Sequence, residues 1–155
     1  MDIYVKAKEL GIETKHKTLT VLAQTIFDEN IVKQIPLRAP MLKKVCLMSI
    51  ALVVSVYLYL MQMITSERHQ KALLGGTERF VGKDHPDKLI PQVPAILMAF
   101  YQADIITEEV VKAWGSKASK KYVDLSTSKK VRKAAEKFLE WLENAQSEDE
   151  DSEEE

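Results

Sequence analysis

Two stretches near the C-terminus decide the fold: Tyr101-Gln-Ala-Asp104-Ile-Ile-Thr107-Glu108-Glu109-Val-Val-Lys-Ala-Trp114 and Ala135-Glu136-Lys-Phe138-Leu-Glu140-Trp141-Leu-Glu143. Apolar residues in both recur with a period near 3.6, which predicts amphipathic helices. Each stretch places a tryptophan among carboxylates, and a lysine-rich segment separates the two. These two acidic–aromatic boxes favour an electrostatic docking surface over a catalytic pocket.

The same helical period runs through almost the whole chain, and no stretch alternates as a strand would. Thr107 is placed to cap a helix whose first turn is acidic, where the helix dipole favours negative charge. We predict helix breaks at Pro36 and Pro40 and a helix end at Gly75-Gly76. Short helices joined by short turns predict an all-α fold, a HEAT-like stack of antiparallel helical hairpins.

The charge of this chain is unevenly distributed. It has 155 residues, with 22 basic and 23 acidic side chains, and seven of the acidic ones lie among the last eight residues. Residues 1–146 therefore form the predicted domain, with a net charge of about +6, and residues 147–155 a disordered acidic tail. One cysteine and no signal-peptide pattern favour a reducing, cytoplasmic compartment.

Residues 45–64 form an uncharged apolar run that is long enough to span a membrane. Three interpretations stay open. The codons of Val45-Cys46 and Met61-Gln62 permit intron splice sites in frame, so residues 45–62 are first interpreted as a translated retained intron. A membrane anchor through residues 45–64 is the alternative function, and a buried native helix ranks last.

The aromatic residues of the boxes are predicted to pack in the core, namely Tyr101, Trp114, Phe138 and Trp141. The carboxylates around them are predicted to bind a basic partner: Asp104, Glu108, Glu109, Glu136, Glu140, Glu143, Glu148, Asp149 and Glu150. Attraction of this kind is long-ranged and weakened by salt.

A basic surface for a second partner is predicted at Lys112, Lys117, Lys120, Lys121, Lys129, Lys130, Arg132 and Lys133. This surface is predicted to contact an acidic partner or RNA. Direct RNA contact is the weaker of the two interpretations, because no aromatic platform or RNA motif accompanies these residues. Ser147 and Ser152 precede acidic residues as in substrates of acidophilic kinases. The three histidines are scattered, so we expect no metal and no cofactor.

The boxes, together with His69-Gln-Lys-Ala-Leu-Leu-Gly-Gly76 and Lys117-Ala-Ser-Lys-Lys-Tyr-Val123, resemble the C-terminal W2 domain of eukaryotic translation initiation factor 5. Trp114 and Trp141 match the two tryptophans of that family. The resemblance covers most of the chain except residues 45–62. Related W2 domains occur in the epsilon subunit of factor 2B and in factor 4G.

The resemblance implies an atypical HEAT fold that acts as a binding module in translation initiation. Its implied partners are the lysine-rich segment of the beta subunit of initiation factor 2, the c subunit of factor 3, and factors 1 and 4G. Factor 5 proteins also have an N-terminal domain with a zinc site and a GTPase-activating arginine. Nothing in this chain matches that domain, so we expect no enzyme activity and no small-molecule substrate.

Overall fold

The computed structural model describes residues 3–42 and 63–151. They form α-helices joined by short connections, and no strand occurs in these two ranges, so the all-α prediction is confirmed. The helices are α1 (Ile3–Glu9), α2 (His16–Thr25), α3 (Ile31–Leu42), α4 (Glu67–Arg79), α5 (Pro86–Leu89), α6 (Val93–Gln102), α7 (Glu108–Gly115) and α8 (Leu125–Asp151). A π-helical segment, Phe80–Asp84, continues α4, and a 3₁₀ turn, Ile90–Gln92, leads into α6.

Helices α2 and α4 lie side by side and run in the same direction, as do equivalent helices of successive hairpins in a stack. The Thr20 hydroxyl donates a hydrogen bond to the Ala72 carbonyl at 3.2 Å. One turn earlier, His69 Nε2 donates to the Thr14 carbonyl at 2.9 Å, while its Nδ1 accepts from the Thr65 amide at 3.2 Å. These bonds hold the two helix starts together.

The Gly75-Gly76 pair lies inside α4 and not at its end, so the predicted helix end there is wrong. A Cβ atom on Gly76 would lie 2.5 Å from the Thr20 carbonyl oxygen. A Cβ on Gly75 would lie 2.3 Å from the ring of Tyr122. The two glycines therefore allow Thr20 and Tyr122 to approach α4 closely on two sides. The packing gained in this way outweighs the low helix propensity of glycine.

The predicted breaks at Pro36 and Pro40 are also wrong, because α3 runs through both prolines. A proline inside a helix removes one backbone hydrogen bond. The same helix buries Ile31, Ile35 and Leu42 completely. Burial of each large apolar side chain contributes about 1.5–3 kcal/mol. Burial of these three therefore contributes more than the lost hydrogen bonds cost.

The core lies between α2, α3, α4, α6 and α8. Phe100 of α6 is fully buried, and the Phe27 ring contacts its edge with the ring centroids 6.0 Å apart. On the other side α6 packs along α8. The two predicted boxes thus become neighbours, because α6 ends at the first box and α8 carries the second.

The described chain stops at Leu42 and resumes at Met63, and the two ends adjoin. The Ile64 amide donates a hydrogen bond to the Leu42 carbonyl at 3.1 Å. Of the apolar run at residues 45–64, residues 45–62 lie outside the described part, so its three interpretations stay predictions. In the described part, no helix is long and apolar enough to span a membrane.

Helix α8 continues to Asp151, five residues past the predicted domain boundary at residue 146. Its backbone is therefore helical where the acidic tail was predicted to begin. Residues 152–155, and all side chains after Ala145, lie outside what the structure describes. The predicted phosphorylation of Ser147 and Ser152 falls there, so it stays a prediction.

Candidate functional site

The first box forms the turn between α6 and α7. The Ile105 amide donates to the Phe100 carbonyl at 2.9 Å, and the Asp104 amide donates to the Tyr101 carbonyl at 2.8 Å. This pair of bonds forms a Schellman motif, in which the residue that follows the helix C-cap adopts the left-handed backbone conformation. Asp104 occupies that position with a φ of 49°, a conformation that aspartate tolerates better than most residues. The turn therefore projects an exposed carboxylate.

Helix α7 begins at Glu108 with Thr107 at the N-cap position, as predicted, but the Thr107 hydroxyl makes no capping hydrogen bond to the helix. The Thr107 amide donates to Gln70 Oε1 at 2.9 Å, which ties this helix start to α4. Hydrogen bonds from its own backbone amide, and then from the Thr107 hydroxyl, lower the pKa of Glu109. Glu109 is thus held as a carboxylate near the positive end of the helix.

Glu108 has a neighbour of opposite charge on its own helix. Lys112 Nζ lies 2.5 Å from Glu108 Oε1, one helical turn away. Lys112 was predicted to belong to a basic surface, but it covers part of the acidic one. A cation that binds Glu108 must therefore compete with Lys112.

An aromatic cluster joins the two boxes. Phe138 and Trp141 stack with their ring centroids 5.9 Å apart, and both meet the Tyr101 ring edge-on at 6.1 Å. Phe138 is buried, but Trp141 is 43% exposed. The prediction that Trp141 belongs to the core is therefore wrong, because its position on α8 lies at the edge of the α6 contact. Its ring forms a wall of the site.

These parts enclose a shallow depression of about 470 Å³, which we call the acidic–aromatic groove. It is lined by Tyr101, Gln102, Asp104, Ile106, Thr107, Glu108, Glu109 and Trp141. Acidic side chains of the first box and the tryptophan of the second box thus meet in one place. The sequence predicted both groups but not that they share a groove.

The carboxylates of the second box do not line the groove. Glu136, Glu140 and Glu143 are exposed on α8. Successive helix residues turn by about 100°, so Glu136 and Glu143 face about 140° to 160° away from Trp141. Side chains at Glu148, Asp149 and Glu150 lie outside the described part. The predicted acidic residues are therefore divided between the groove and another face of α8.

Trp114 and Arg132 form a second buried arrangement. The Arg132 guanidinium carbon lies 3.6 Å from the centroid of the Trp114 ring, and Arg132 Nε donates to the Trp114 carbonyl at 2.7 Å. Arg132 is only 8% exposed. Its assignment to a basic binding surface is therefore wrong, because its charge is used inside the fold. Trp114 is half-buried, and its Nε1 atom has no hydrogen-bond partner.

The remaining predicted basic residues are exposed: Lys117, Lys120, Lys121, Lys129, Lys130 and Lys133. Lys120 and Lys121 lie beside cations of α4 and of the π-helical segment that were not predicted as site residues. Together they form an exposed row that we call the basic stripe, consisting of Arg68, Lys71, Arg79, Lys83, Lys120 and Lys121. Its signal was in the sequence, since residues 68, 71, 75 and 79 share one helix face.

Within the described residues, no group of His, Cys, Asp or Glu side chains is placed to hold a metal ion. The described part of the chain presents two charged surfaces, the acidic–aromatic groove and the basic stripe.

Comparison with known proteins gives a consistent result. The family model described as "W2: eIF4-gamma/eIF5/eIF2-epsilon" matches residues 69–152. The chain is similar to eukaryotic translation initiation factor 5 of Saccharomyces cerevisiae, with 39% identity over 155 residues, which are 100% of this chain and 34% of that protein. It is also similar to the probable factor 5 of Schizosaccharomyces pombe, with 38% identity over 96% of this chain and 33% of that protein.

The chain spans about a third of the length of these two relatives. A solved structure described as "The C-terminal Domain of Translation Initiation Factor 5 at low pH" is 43% identical. It superposes with a TM-score of 0.77 and covers 97% of this chain and 81% of that one. The sequence and the fold therefore point to the same group of proteins.

Proposed function

Because the chain belongs to the W2 family of translation initiation factor domains, we propose that it is a non-catalytic docking module of translation initiation. Its acidic–aromatic groove binds the lysine-rich segment of the beta subunit of initiation factor 2. The c subunit of factor 3 and factors 1 and 4G are further proposed partners. Translation initiation is a cytoplasmic process, so we propose a cytoplasmic location.

One observation carries this proposal, namely the exposed Trp141 ring beside Asp104, Glu108 and Glu109. A lysine consists of an apolar stem and a charged end. The stem can lie on the tryptophan ring while the ammonium group meets the carboxylates, and the ring face also attracts the cation. The groove thus matches both parts of a lysine side chain.

The test is a titration of the chain with a fluorescent lysine-rich peptide from the beta subunit, at increasing KCl. Screening should weaken binding steadily as salt rises. The double variant Glu108→Gln/Glu109→Gln should bind two- to thirty-fold more weakly, since exposed charge pairs contribute about 0.2–1 kcal/mol each. Trp141→Ala should cost about 30-fold if the ring is the central anchor.

The matched control is Glu9→Gln/Glu67→Gln. These carboxylates are exposed and each is paired with a lysine, at 2.9 and 2.8 Å, but neither lines the groove. The control should bind like the parent chain. Equal losses in the two double variants would show that overall charge, and not the groove, governs binding, and would refute the proposal.

Lys112→Gln tests the groove with the opposite sign. Removing Lys112 frees Glu108 from its ion pair, so the lysine-rich peptide should bind more tightly. The gain should be about two-fold, since an i,i+4 pair is worth about 0.3–0.5 kcal/mol. Weaker binding by this variant would instead place Lys112 among the residues that contact the partner.

A further inference from the structure

The basic stripe follows the length of α4. Arg68 to Lys83 spans about 22 Å of helix, and Lys120 and Lys121 lie beside it on the connection between α7 and α8. Tyr122 divides the stripe into two depressions. Arg79, Lys83 and Lys120 line one, of about 570 Å³. Arg68, Lys71 and Lys121 line the other, of about 490 Å³.

The tertiary fold creates this row of charge. Gly75 has no side chain, so the Tyr122 ring packs directly against α4 at this point. The contact draws the connection over α4 and sets Lys120 and Lys121 on the two sides of the ring. Lys121 Nζ also lies over the Tyr122 ring, 5.0 Å from its centroid. Packing of Tyr122 against α4 therefore fixes the positions at which Lys120 and Lys121 join the stripe.

Cations outweigh carboxylates along the stripe. Lys71 pairs with Glu67 at 2.8 Å, and Asp124 at the edge accepts hydrogen bonds from Thr127. Burial, followed by the positive charges of Arg68 and Lys121, lowers the pKa of His16 at one end of the stripe. This part of the surface repels a further positive charge and attracts an anion.

The shape and composition of the stripe favour a nucleic acid over an acidic protein. Protein interfaces depend on aromatic and aliphatic anchors. At the stripe the aromatic ring of Tyr122 is half-buried, and none of the exposed large hydrophobic side chains of the described residues lies here. Phosphate binding needs little besides positive charge. A strand stacked as in a duplex, with one phosphate per about 3.4 Å of its axis, presents about six phosphates along about 22 Å, which equals the number of cations in the stripe.

We propose that the basic stripe binds the phosphate backbone of single-stranded RNA, independently of base sequence. The acidic groove does not obstruct it, because it is built on the opposite end of α7 from the connection that carries Lys120 and Lys121. The acidic end of α8 is also distant. Asp151 lies about 39 Å along the helix from Leu125.

The test is fluorescence anisotropy of a labelled oligouridylate with the full chain, between about 50 and 200 mM KCl. Six phosphate contacts predict a slope of about −4 for log affinity against log salt, since each contact on a single strand contributes about 0.7. The triple variant Arg68→Ala/Lys83→Ala/Lys121→Ala should reduce the slope to about −2. Circular dichroism checks that the variant is folded.

The matched control is Lys8→Ala/Lys33→Ala/Lys137→Ala, which removes the same charge from exposed residues elsewhere. It should keep the parent slope. Equal weakening in both triple variants would overturn the proposal, as would the absence of RNA binding at the lowest salt. Tighter binding of a labelled polyglutamate peptide than of RNA would overturn it in favour of an acidic protein partner.

A second measurement locates the RNA. NMR titration of the His16 ring gives its pKa with and without oligouridylate. Phosphates on the stripe offset the charges of Arg68 and Lys121, so bound RNA should raise the pKa of His16. An unchanged His16 at saturating RNA would show that the RNA binds elsewhere.

Discussion

Arg132 and Glu78 form an ion pair in the interior, where 8% and 1% of their surfaces are exposed. Arg132 Nη1 lies 2.7 Å from Glu78 Oε1, although its N–H is not aligned for a hydrogen bond, and Nη2 donates to Oε2 at 3.2 Å. The Ser128 hydroxyl also donates to Glu78, at 2.7 Å. This network connects α4 to α8 and holds the guanidinium against Trp114.

Glu78→Gln should therefore destabilise the chain strongly, because it leaves the Arg132 charge buried without its counterion. The expected loss is about 3–5 kcal/mol in the free energy of unfolding, measured by urea denaturation. Burial already lowers the pKa of Arg132, and Glu78 opposes this effect. The fluorescence of Trp114 should change with the contact.

Glu67→Gln is the matched control, since it is the same substitution in the same helix. Glu67 pairs with Lys71 at the surface, where the Glu67 side chain is 69% exposed. Its loss should cost less than about 0.5 kcal/mol. Similar small effects for both variants would mean that the buried pair contributes no more than an exposed one.

At the scale of the element, α3 and α4 tolerate residues that usually end helices, because tertiary contacts support both. The connection between them contains the apolar residues 45–62. Ile64 donates a hydrogen bond to Leu42 across it. If residues 45–62 are removed, Ile64 becomes the fourth residue after Leu42, which is the spacing of an α-helical hydrogen bond. This bond supports the proposal that the segment can be absent.

Deleting residues 45–62 should therefore leave the fold intact. Closing a shorter connection costs less entropy, so the free energy of unfolding should rise by about 1.5 kcal/mol. Thermal and urea denaturation measure this change. The deletion joins Lys44 to Met63, and both the Leu42 and Met63 side chains should stay buried as they are now.

A Gly/Ser linker of equal length in place of residues 45–62 separates the possible outcomes. If the segment packs in the core, the deletion and the linker variant should both be destabilised, which would contradict the retained-intron interpretation. If the segment anchors the chain in a membrane, the parent chain should need detergent to stay in solution, and neither variant should need it.

At the scale of the whole molecule, a formal net charge of −1 conceals two opposite surfaces. Hydrogen bonds to their carboxylates lower the pKa values of Asp28, Glu109 and Asp124. Each of these carboxylates stabilises the fold at pH values above its pKa in the unfolded chain, which is 3.8 for the aspartates and 4.5 for the glutamate. It loses this contribution as the pH falls through its pKa in the folded chain. The pKa of His16 is also lowered, so its contribution to stability is lost as the pH falls below 6.5, the pKa of histidine in the unfolded chain.

Acidification should therefore lower the free energy of unfolding in two stages. The first begins as the pH falls below 6.5, since the unfolded chain then takes up a proton at His16 more readily than the folded one. The second begins below 4.5 with the carboxylates. His16→Gln should remove the first stage alone, as measured by urea denaturation between about pH 7.5 and 5. An unchanged profile would contradict the placement of His16 among cations.

Much of this molecule follows from local pattern. The 3.6-residue period predicts the helices, and Thr107 marks the start of α7, because capping and amphipathicity depend on neighbouring residues only. Gly75 and Pro36 lie inside helices because tertiary contacts of α4 and α3 outweigh the local tendency of these residues to end a helix. The burial of Arg132 likewise depends on Glu78, which lies 54 residues away in the chain.

By itself, the sequence determined that this protein is helical, that it is a W2 domain, and that acidic and aromatic residues concentrate in two boxes. Tertiary structure alone decided that the first box shares a groove with Trp141, that Arg132 is buried, and that α4 and the connection before α8 combine into the basic stripe. The physical reason is distance. Local geometry repeats every few residues, whereas a binding surface collects charges from segments that only packing brings together.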